Sequence, residues 1–390
     1  MSGKELFQTT LPVAPLKIAP LESCRDLAEK VDKHLVSFRK ERTVGVASAL
    51  HFNGYFDDSY LLRTSCVRFG TGEAKGKIEE SVRGADLFIM VDVGNYSLTY
   101  TVCGYENHMS PDDHYQDLKR IIAAAVAAAH RVTVIMPFLY ESRQDKRTER
   151  ESLDCALALK ELVNMGVSNI ITFDAHDPRV VNSIPLHGFD NFTPPYQFIK
   201  SILSKESDLI IDSDHIMVIS PDEGGMNRAV YFANVIGADM GMFYKRRDYS
   251  VVVNGKNPIV EHEFLGNNVE GKDVIVVDDM IASGESILEV AKELKARNAN
   301  RIFVCTTFGF FTEGLETFDE YYEKGYISLV VTTNLTYRSS ELLSRPYYIE
   351  ADMSRFLAMI IDSLNHDISI GHVMDPTDKI RTILTEYNKK

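Results

Sequence analysis

DVIVVDDMIASGESILEVAKEL, residues Asp273–Leu294, is the stretch of sequence that decides the fold. It begins with an apolar run that ends in the acidic pair Asp278-Asp279, and after the short loop Ser283–Ser286 a helical pattern starts at once. A nearly continuous run of Val and Ile is typical of a parallel strand that is covered on both faces. The stretch therefore predicts a buried strand, a tight loop and a helix, with a ligand at the carboxyl end of the strand.

The loop between this strand and this helix has the chemistry of an anion site. Backbone N–H groups at a helix N-terminus attract an anion, and Gly284 lets the backbone curl around it. The two carboxylates can accept hydrogen bonds from the hydroxyls of a sugar, whereas a helix cap explains only one serine. We interpret the segment as a sugar-phosphate site. Its loop, called the sugar-phosphate loop below, comprises Ala282, Ser283, Gly284, Glu285 and Ser286.

Strand and helix patterns alternate along the whole chain of 390 residues. The predicted strands are Leu87–Val91, Thr133–Met136, Asn169–Phe173, Ile216–Ser220, Asp273–Val277, Arg301–Thr306 and Ile327–Thr332. The predicted helices are Leu118–Ala129, Leu153–Met165, Glu223–Ile236 and Ser286–Ala296. This order predicts an α/β fold of two tandem domains, each a mostly parallel sheet flanked by helices.

The boundaries follow from composition. We predict an N-terminal domain at 15–190 and a C-terminal domain at 191–370, joined at Asp190–Pro195, where consecutive prolines resist regular structure. Residues 371–390 are predicted as a C-terminal helix. Glu41–Thr64 is interpreted as a loop or hairpin insertion, and Asn95–Asp113 is weakly patterned.

Charge and cysteine content narrow the function classes. The formal net charge of −14 disfavours nucleic acid and anionic membranes as partners, although local groups can still bind a small anion. The five cysteines form no CxxC pair and are odd in number, which favours a reducing compartment. No apolar stretch has the length of a membrane span, and we expect a cytoplasmic protein.

Further polar segments follow predicted strands. Arg143-Gln144-Asp145 comes after one strand, and Asp174 and His176 come after the next. The spacing i, i+2 of Asp174 and His176 at a strand end predicts that both side chains lie on one face. A guanidinium can grip phosphate oxygens, an amide can read a base edge, and a carboxylate with an imidazole can hold Mg²⁺ directly or through water. In the second half, Pro221-Asp222 precedes a glycine pair and a helix, and a strand leads into Lys245-Arg246-Arg247. Each segment also has an interpretation without a functional role, as a turn, a structural histidine or a solvated run of charged residues.

Taken in order, these segments resemble the ribose-phosphate pyrophosphokinase family, which shares its sugar-phosphate loop with type I phosphoribosyltransferases. The likeness spans about Leu16 to Asn388 and includes VRFGTGEAKGKIEESVRGADLFIM, Val67–Met90. It implies type I phosphoribosyltransferase-like domains and Mg²⁺-dependent transfer of the diphosphate of ATP to the 1-hydroxyl of ribose 5-phosphate. It also implies a homo-oligomer, a dimer or a hexamer, in which Phe69–Glu73 reaches a neighbouring active site.

The resemblance assigns roles residue by residue. It implies catalytic roles for Lys245, Arg247 and His176, a metal site at Asp174 and His176, and ATP binding by Phe69, Glu73, Arg143, Gln144 and Asp145. It implies ribose 5-phosphate binding by Asp222, Asp278, Asp279, Ala282, Ser283, Gly284, Glu285 and Ser286. The sequence departs from the family pattern at Thr71, where Asp or Asn is usual, at Ala282, where Asp is usual, and at Glu285, where Gly is usual.

Three alternatives remain open on the sequence alone. An ordinary phosphoribosyltransferase would carry the same loop, but Arg143-Gln144-Asp145, the segment with Asp174 and His176, and the second α/β half argue against it. The changes at Ala282 and Glu285 slightly favour a non-catalytic regulatory paralogue, whereas His176, Lys245 and Arg247 oppose it. A binding module unrelated to nucleotides leaves Asp278–Ser286 unexplained.

Overall fold

The computed structural model describes residues 10–42, 52–247, 259–371 and 375–387, and the side chains of residues 245–247 and 259–262 lie outside this description. Up to residue 193 the elements are β1 Leu16–Pro20, α1 Arg25–Glu41, β2 Thr64–Arg68, β3 Ala74–Ile78, β4 Asp86–Met90, β5 Thr99–Val102, β6 Tyr105–His108, α2 Pro111–Ala125, β7 Arg131–Ile135, α3 Asp154–Asn164, β8 Asn169–Phe173 and β9 Gly188–Phe192. From residue 194 they are α4 Pro195–Lys205, β10 Ile216–Ser220, α5 Met226–Ile236, β11 Asp239–Arg247, β12 Ile259–Leu265, β13 Asp273–Ile281, α6 Glu285–Ala296, β14 Ile302–Gly309, α7 Glu316–Glu323, β15 Leu329–Thr333, α8 Ser340–Leu343, β16 Tyr348–Ala351, α9 Ser354–Asn365 and α10 Thr377–Tyr387. Short 3-10 helices cover Glu22–Cys24 and Pro178–Ser183.

The chain forms two compact units. Unit 1 comprises residues 1–193, 334–337 and 352–375, and unit 2 comprises 194–333, 338–351 and 376–390. The division at residue 193 falls inside the predicted junction Asp190–Pro195. The segments 334–337 and 352–375 belong to unit 1, whereas residues up to 370 were predicted in the second domain and residues 371–390 as a C-terminal helix.

Unit 1 is built on a parallel five-stranded sheet with the order β1-β4-β7-β8-β9. Alternate residues of β4, such as Leu87 and Ile89, lie in one apolar core with residues of α2 and α3. Helix α9 packs against α1, and the buried Arg39 donates to Asn365 at 2.6 Å and pairs with Asp362 at 3.4 Å. These buried contacts explain why residues 352–375 join this unit.

Unit 2 is built on a seven-stranded sheet with the order β12-β11-β10-β13-β14-β15-β16, parallel except for β12. In β13, Val274 and Val276 lie in the core on one face, and Ile275 and Val277 lie in the core on the other. Because side chains alternate across a strand, burial on both faces demands an unbroken apolar run. The predicted fold class, tandem mostly parallel sheets flanked by helices, is confirmed.

Some predicted elements differ from the observed ones. Helix α2 begins at Pro111 rather than at Leu118, because Ser110 accepts from the Asp113 N–H and Asp113 reciprocates in a capping box. The stretch Asn95–Asp113 contains the β5–β6 hairpin, which the sequence analysis missed. Residues 52–63 of the insertion form turns and one isolated bridge, Ile18 to Leu61, while residues 43–51 lie outside the described part. Within the described ranges, no helix has both the length and the apolar character needed to cross a membrane.

Candidate active site

The acidic pair of unit 2 lies at the carboxyl end of the central strand β13. Asp279 is 4% exposed and the Asp278 side chain 20% exposed, and the Asp279 N–H donates to Asp278 Oδ1 at 2.9 Å. Arg228, from the first turns of α5, approaches Asp278 Oδ1 at 3.4 Å. The two carboxylates and one guanidinium therefore form a buried polar cluster at the edge where ligands bind in parallel sheets.

Asp222, two residues after the end of the neighbouring strand β10, completes this cluster. Its Oδ1 accepts from the Gly225 N–H at 3.2 Å, and its backbone oxygen accepts from Ser220 Oγ at 2.6 Å. A Cβ on Gly225, the residue whose N–H Asp222 accepts, would lie 3.7 Å from Asp278 Oδ1, so the two carboxylates lie close together, and the charge of Asp222 contributes to raising the pKa of Asp278. The predicted residues Asp222, Asp278 and Asp279 are thus brought together, and Arg228 is an addition that the sequence analysis missed.

The sugar-phosphate loop connects β13 to α6 in the predicted way. Gly284 has a φ of +89°, and a Cβ at this position would lie 2.4 Å from the Phe318 ring. Only glycine fits this left-handed, tightly packed turn. The Ser283 hydroxyl accepts from the Glu285 N–H at 3.4 Å, and Glu285 itself is exposed. Because the Glu285 side chain is in water, the solvent screens the repulsion between its carboxylate and a bound phosphate.

Burial changes the pKa of Asp278, the first residue of the acidic pair. Desolvation, followed by the charge of Asp279, raises the pKa of Asp278 from 3.8 to about 8, and Arg228 opposes this. A carboxyl group that holds its proton at neutral pH is costly to ionise in the free protein. Ligand hydroxyl donors or a cation would stabilise the ionised form.

This shift predicts how stability depends on pH. The unfolded chain releases the Asp278 proton near pH 4 and the folded chain near pH 8, so we expect the free energy of unfolding of the free protein to fall between these values and then level off. Asp278→Asn stays neutral, and we expect it to exceed the parent in stability by on the order of 2 kcal/mol at high pH. Urea unfolding at about pH 5 and about pH 8.5 measures this, with the exposed Asp214→Asn as control for lost charge. An equal difference between parent and Asp278→Asn at both pH values contradicts the prediction.

In unit 1, the segment with Arg143, Gln144 and Asp145 and the segment with Asp174 and His176 follow neighbouring strands. Strands β7 and β8 are paired, and the Phe173 N–H donates to the Pro137 oxygen at 3.0 Å beyond that pairing. The charge of Asp145 acts on Arg179, and the charge of Lys146 acts on Asp177. The loop that carries Arg143, Gln144 and Asp145 is therefore adjacent to the one that follows β8.

The loop after β8 departs from the geometry expected for Asp174 and His176. Strand β8 ends at Phe173, and Asp174 has a φ of +43°, so the alternation of an extended strand does not continue to His176. Asp174 is 6% exposed and its N–H donates to the Phe192 oxygen at 2.7 Å, whereas His176 is exposed. A left-handed aspartate stores local strain of the kind found at functional sites. In the same loop, the side-chain hydrogen bond from Arg179 lowers the pKa of Asp177 to about 2.

Gln144 holds its own loop. Its amide nitrogen donates to the Ser152 oxygen at 2.8 Å and to the Lys146 oxygen at 3.3 Å. Both hydrogen bonds use the amide nitrogen, and the ATP-binding role of Gln144 stays a prediction. Arg143 is exposed.

Phe69 and Glu73 lie at the tip of the β2–β3 hairpin. The Phe69 N–H donates to the Glu73 oxygen at 2.7 Å, and the Phe69 side chain is 51% exposed. Thr71, where the family pattern has an acid or amide, donates its hydroxyl to Glu73 Oε2 at 3.1 Å. The tip thus presents an aromatic ring and an oriented carboxylate to solvent or to another molecule.

Lys245 and Arg247 lie on the last residues of β11, and their side chains lie outside the described part of the chain. Their backbones pair antiparallel with β12, Lys245 opposite His262 and Arg247 opposite Ile259, with a register shift between Arg246 and Arg247. Within the described residues, no group of three or more His, Cys, Asp or Glu side chains is arranged to hold a metal ion. Mg²⁺ does not need one, since it is commonly held by one or two carboxylates together with substrate phosphates, and the buried Asp174 fits that pattern.

Two mostly parallel sheets in tandem, with a sugar-phosphate loop beside an acidic pair at the end of a central strand of the second, define a protein of the tandem phosphoribosyltransferase type. Residues 16–166 match the N-terminal domain of ribose phosphate pyrophosphokinase, and residues 194–335 match the phosphoribosyl transferase domain. The ribose-phosphate pyrophosphokinase of Thermosipho africanus is 31% identical over 250 residues, covering 63% of this chain and 71% of that protein. The enzyme of that name from Vibrio parahaemolyticus is 28% identical over 312 residues, covering 79% of this chain and 89% of the relative.

The chain belongs to the ribose-phosphate pyrophosphokinase family. The fold agrees with this, because the crystal structure of phosphoribosylpyrophosphate synthetase from Mycobacterium smegmatis superposes with a TM-score of 0.71 over 90% of this chain and 99% of that one, at 20% identity. The family predicted from the sequence is therefore confirmed.

Proposed function

We propose that this chain is an active ribose-phosphate diphosphokinase, which transfers the diphosphate of ATP to the 1-hydroxyl of ribose 5-phosphate and releases AMP. The observation that carries the proposal is the sugar-phosphate loop of unit 2, which connects the buried pair Asp278 and Asp279 to α6, in a chain whose residues 16–166 match the N-terminal domain of ribose phosphate pyrophosphokinase. Glu285 is exposed, which weakens one of the two arguments for a non-catalytic regulatory paralogue, while the change at Ala282 remains. The membership of the family supports the same reaction.

The sugar-phosphate loop binds the 5-phosphate. Backbone N–H groups at the start of α6 and the hydroxyls of Ser283 and Ser286 donate to its oxygens. Asp278 and Asp279 accept from the ribose hydroxyls, with Asp222 adding a further acceptor. This set of acceptors fixes the sugar so that its 1-hydroxyl is held at one place, which lowers the entropic part of the barrier.

ATP binding is assigned to unit 1. Arg143 and Asp145 act on the nucleotide from the loop that Gln144 holds in place, and Phe69 with Glu73 contacts the adenine. Asp174, with His176, would hold Mg²⁺, which when bound neutralises charge on the ATP phosphate oxygens. Lys245 and Arg247 stabilise the charge that develops on the transferred diphosphate.

The state of assembly and the compartment are part of the proposal. A homo-oligomer, a dimer or a hexamer, would let Phe69 and Glu73 serve a neighbouring active site. A cytoplasmic location fits the cysteines, which all lie in the described part of the chain and form no disulfide there.

One assay tests the proposal directly. Purified protein is incubated with ATP, Mg²⁺ and ribose 5-phosphate without a nucleobase, and AMP and phosphoribosyl pyrophosphate are followed by chromatography. We expect both products in equal amounts, which an ordinary phosphoribosyltransferase cannot make. If the parent forms no more AMP than the Lys245→Ala variant, the result contradicts catalysis and favours the non-catalytic regulatory paralogue.

A further inference from the structure

The β5–β6 hairpin of unit 1 has no role in the function described so far. Its two-residue turn, Cys103-Gly104, has φ values of +51° and +88°, as a tight hairpin turn requires. The hairpin is short and largely exposed, and an exposed two-stranded hairpin has little stability of its own. The role of the β5–β6 hairpin therefore depends on the parts of unit 1 that it contacts.

Its contacts are with the tip of the β2–β3 hairpin, which carries Phe69 and Glu73. The Cys103 N–H donates to the Gly70 oxygen at 2.9 Å. A Cβ on Gly72, whose φ is +92°, would lie 3.1 Å from Val102, so the two hairpins are in close contact there. The turn of one hairpin thus holds the turn of the other.

A polar link joins the same two hairpins to helix α2. The Arg68 guanidinium lies 4.7 Å from the centre of the Tyr100 ring and pairs with Asp117 at 2.8 Å. The Tyr100 hydroxyl donates to Asp113 at 3.1 Å. Asp113 and Asp117 are four residues apart and so lie on one face of α2. Arg68, the residue before Phe69, is thereby fixed from two sides.

Tyr100 and Val102 share one face of β5, and both are half-buried, whereas Thr99 and Thr101 on the other face are exposed. A cavity of about 260 Å³ lies between the two hairpins and α2, bordered by Cys66, Arg68, Tyr100, His114 and Asp117 among others. Strand β3 packs closely on α2, where a Cβ on Gly76 would lie 2.8 Å from the Arg120 backbone, but beside β2 this unfilled space gives the tip no such packing, so the tip needs a further restraint on that side. The hairpin contacts and the Arg68–Tyr100 link supply that restraint.

We propose that the β5–β6 hairpin is a positioning device for the nucleotide-binding tip, with Tyr100 and Arg68 as positioning residues that set the affinity for the adenine ring of ATP. The proposal rests on the function proposed above, because it uses the assignment of Phe69 and Glu73 to the nucleotide. Tyr100 does not touch the nucleotide; it acts through Arg68 and the hairpin contacts.

The chain contains no tryptophan, which allows a direct binding test. Phe69→Trp places a single indole at the tip, and its fluorescence reports ATP binding without turnover. Adding Tyr100→Ala to this variant is expected to weaken ATP binding about tenfold, since small misplacements of a binding group have effects of this size. Tyr105→Ala is the matched control, because Tyr105 is on the same hairpin but 76% exposed, and it should leave the affinity unchanged.

Kinetics give a second readout that a purely structural role would not produce. Tyr100→Ala should raise the KM for ATP and leave the KM for ribose 5-phosphate and kcat unchanged. Val102→Ala, a milder change, should weaken ATP binding about threefold, and it keeps the test open if Tyr100→Ala does not fold.

Equal ATP affinity in the Phe69→Trp parent and in its folded Tyr100→Ala or Val102→Ala derivatives would overturn the inference. An equal loss in Tyr105→Ala would also overturn it. If the Phe69→Trp fluorescence does not respond to ATP at all, the positioning role fails, while AMP formation in the assay above would still support the proposed reaction.

Discussion

Lys245→Ala is expected to lower kcat by about 10³-fold while the KM for ATP changes by less than about threefold. The transferred diphosphate gains charge in the transition state, and in phosphoryl transfer most of the catalysis is positioning and neutralisation of that charge. A lysine that acts mainly on this charge contributes little to ground-state binding. Its loss therefore appears in kcat.

Steady-state kinetics with ATP and ribose 5-phosphate measure the effect. The control is Lys200→Ala, which removes an equal charge from an exposed position on α4 and should behave like the parent. Lys245→Arg keeps the charge but changes its shape, and we expect an intermediate rate. Turnover by Lys245→Ala at the parental rate would contradict the catalytic role given to Lys245.

Much of the fold could be predicted because the sheets are buried on both faces. The strands Asn169–Phe173 and Ile216–Ser220 were predicted with their observed bounds, since each is a short apolar run that ends where polar residues begin. Strand β13 extends past its predicted end, to Ile281, because the acidic pair continues the strand rather than ending it. Burial dictates composition in such strands, and composition can be read from one sequence.

The β5–β6 hairpin could not be predicted in the same way. Its strands are four residues long and five of their eight side chains are exposed, so they leave no apolar run. The placement of residues 352–375 in unit 1 also had no local signal, because it depends on buried partners such as Arg39 and Asn365, which are 326 residues apart. Contacts over such distances are absent from any pattern of neighbouring residues.

The same distinction applies to the candidate site, where contiguous features could be predicted and contacts made by packing could not. The acidic pair and the sugar-phosphate loop were found because they are contiguous and chemically unusual for the end of a strand. Arg228 was missed because it meets Asp278 only through the packing of α5 beside β13, 50 residues away in sequence. The expected common orientation of Asp174 and His176 assumed an extended backbone, and the left-handed conformation of Asp174 removes that basis.

Gly284→Ala is expected to lower kcat/KM for ribose 5-phosphate by about 10²-fold or more, an effect of the size that misplaced phosphate contacts produce. The new methyl group would lie 2.4 Å from the Phe318 ring, which is only 1% exposed and cannot move into solvent. The turn must then shift, and with it the backbone N–H groups at the start of α6. Binding of ATP, assigned to unit 1, should be retained, as Phe69→Trp fluorescence can check.

Gly271→Ala separates the two possible causes of this effect, which are the clash of the new methyl group with Phe318 and the backbone strain of a non-glycine residue at positive φ. Gly271 also has a positive φ, +75°, but a Cβ there would have no atom within 4 Å, so only the backbone strain of about 1 kcal/mol remains. We expect Gly271→Ala to lose some stability and to keep its affinity for ribose 5-phosphate. Adding Phe318→Leu to Gly284→Ala should recover part of the affinity, because the smaller side chain removes the ring atoms that the methyl group meets. Equal affinity for ribose 5-phosphate in Gly284→Ala and Gly271→Ala would mean that the loop does not hold the 5-phosphate through the backbone of this turn.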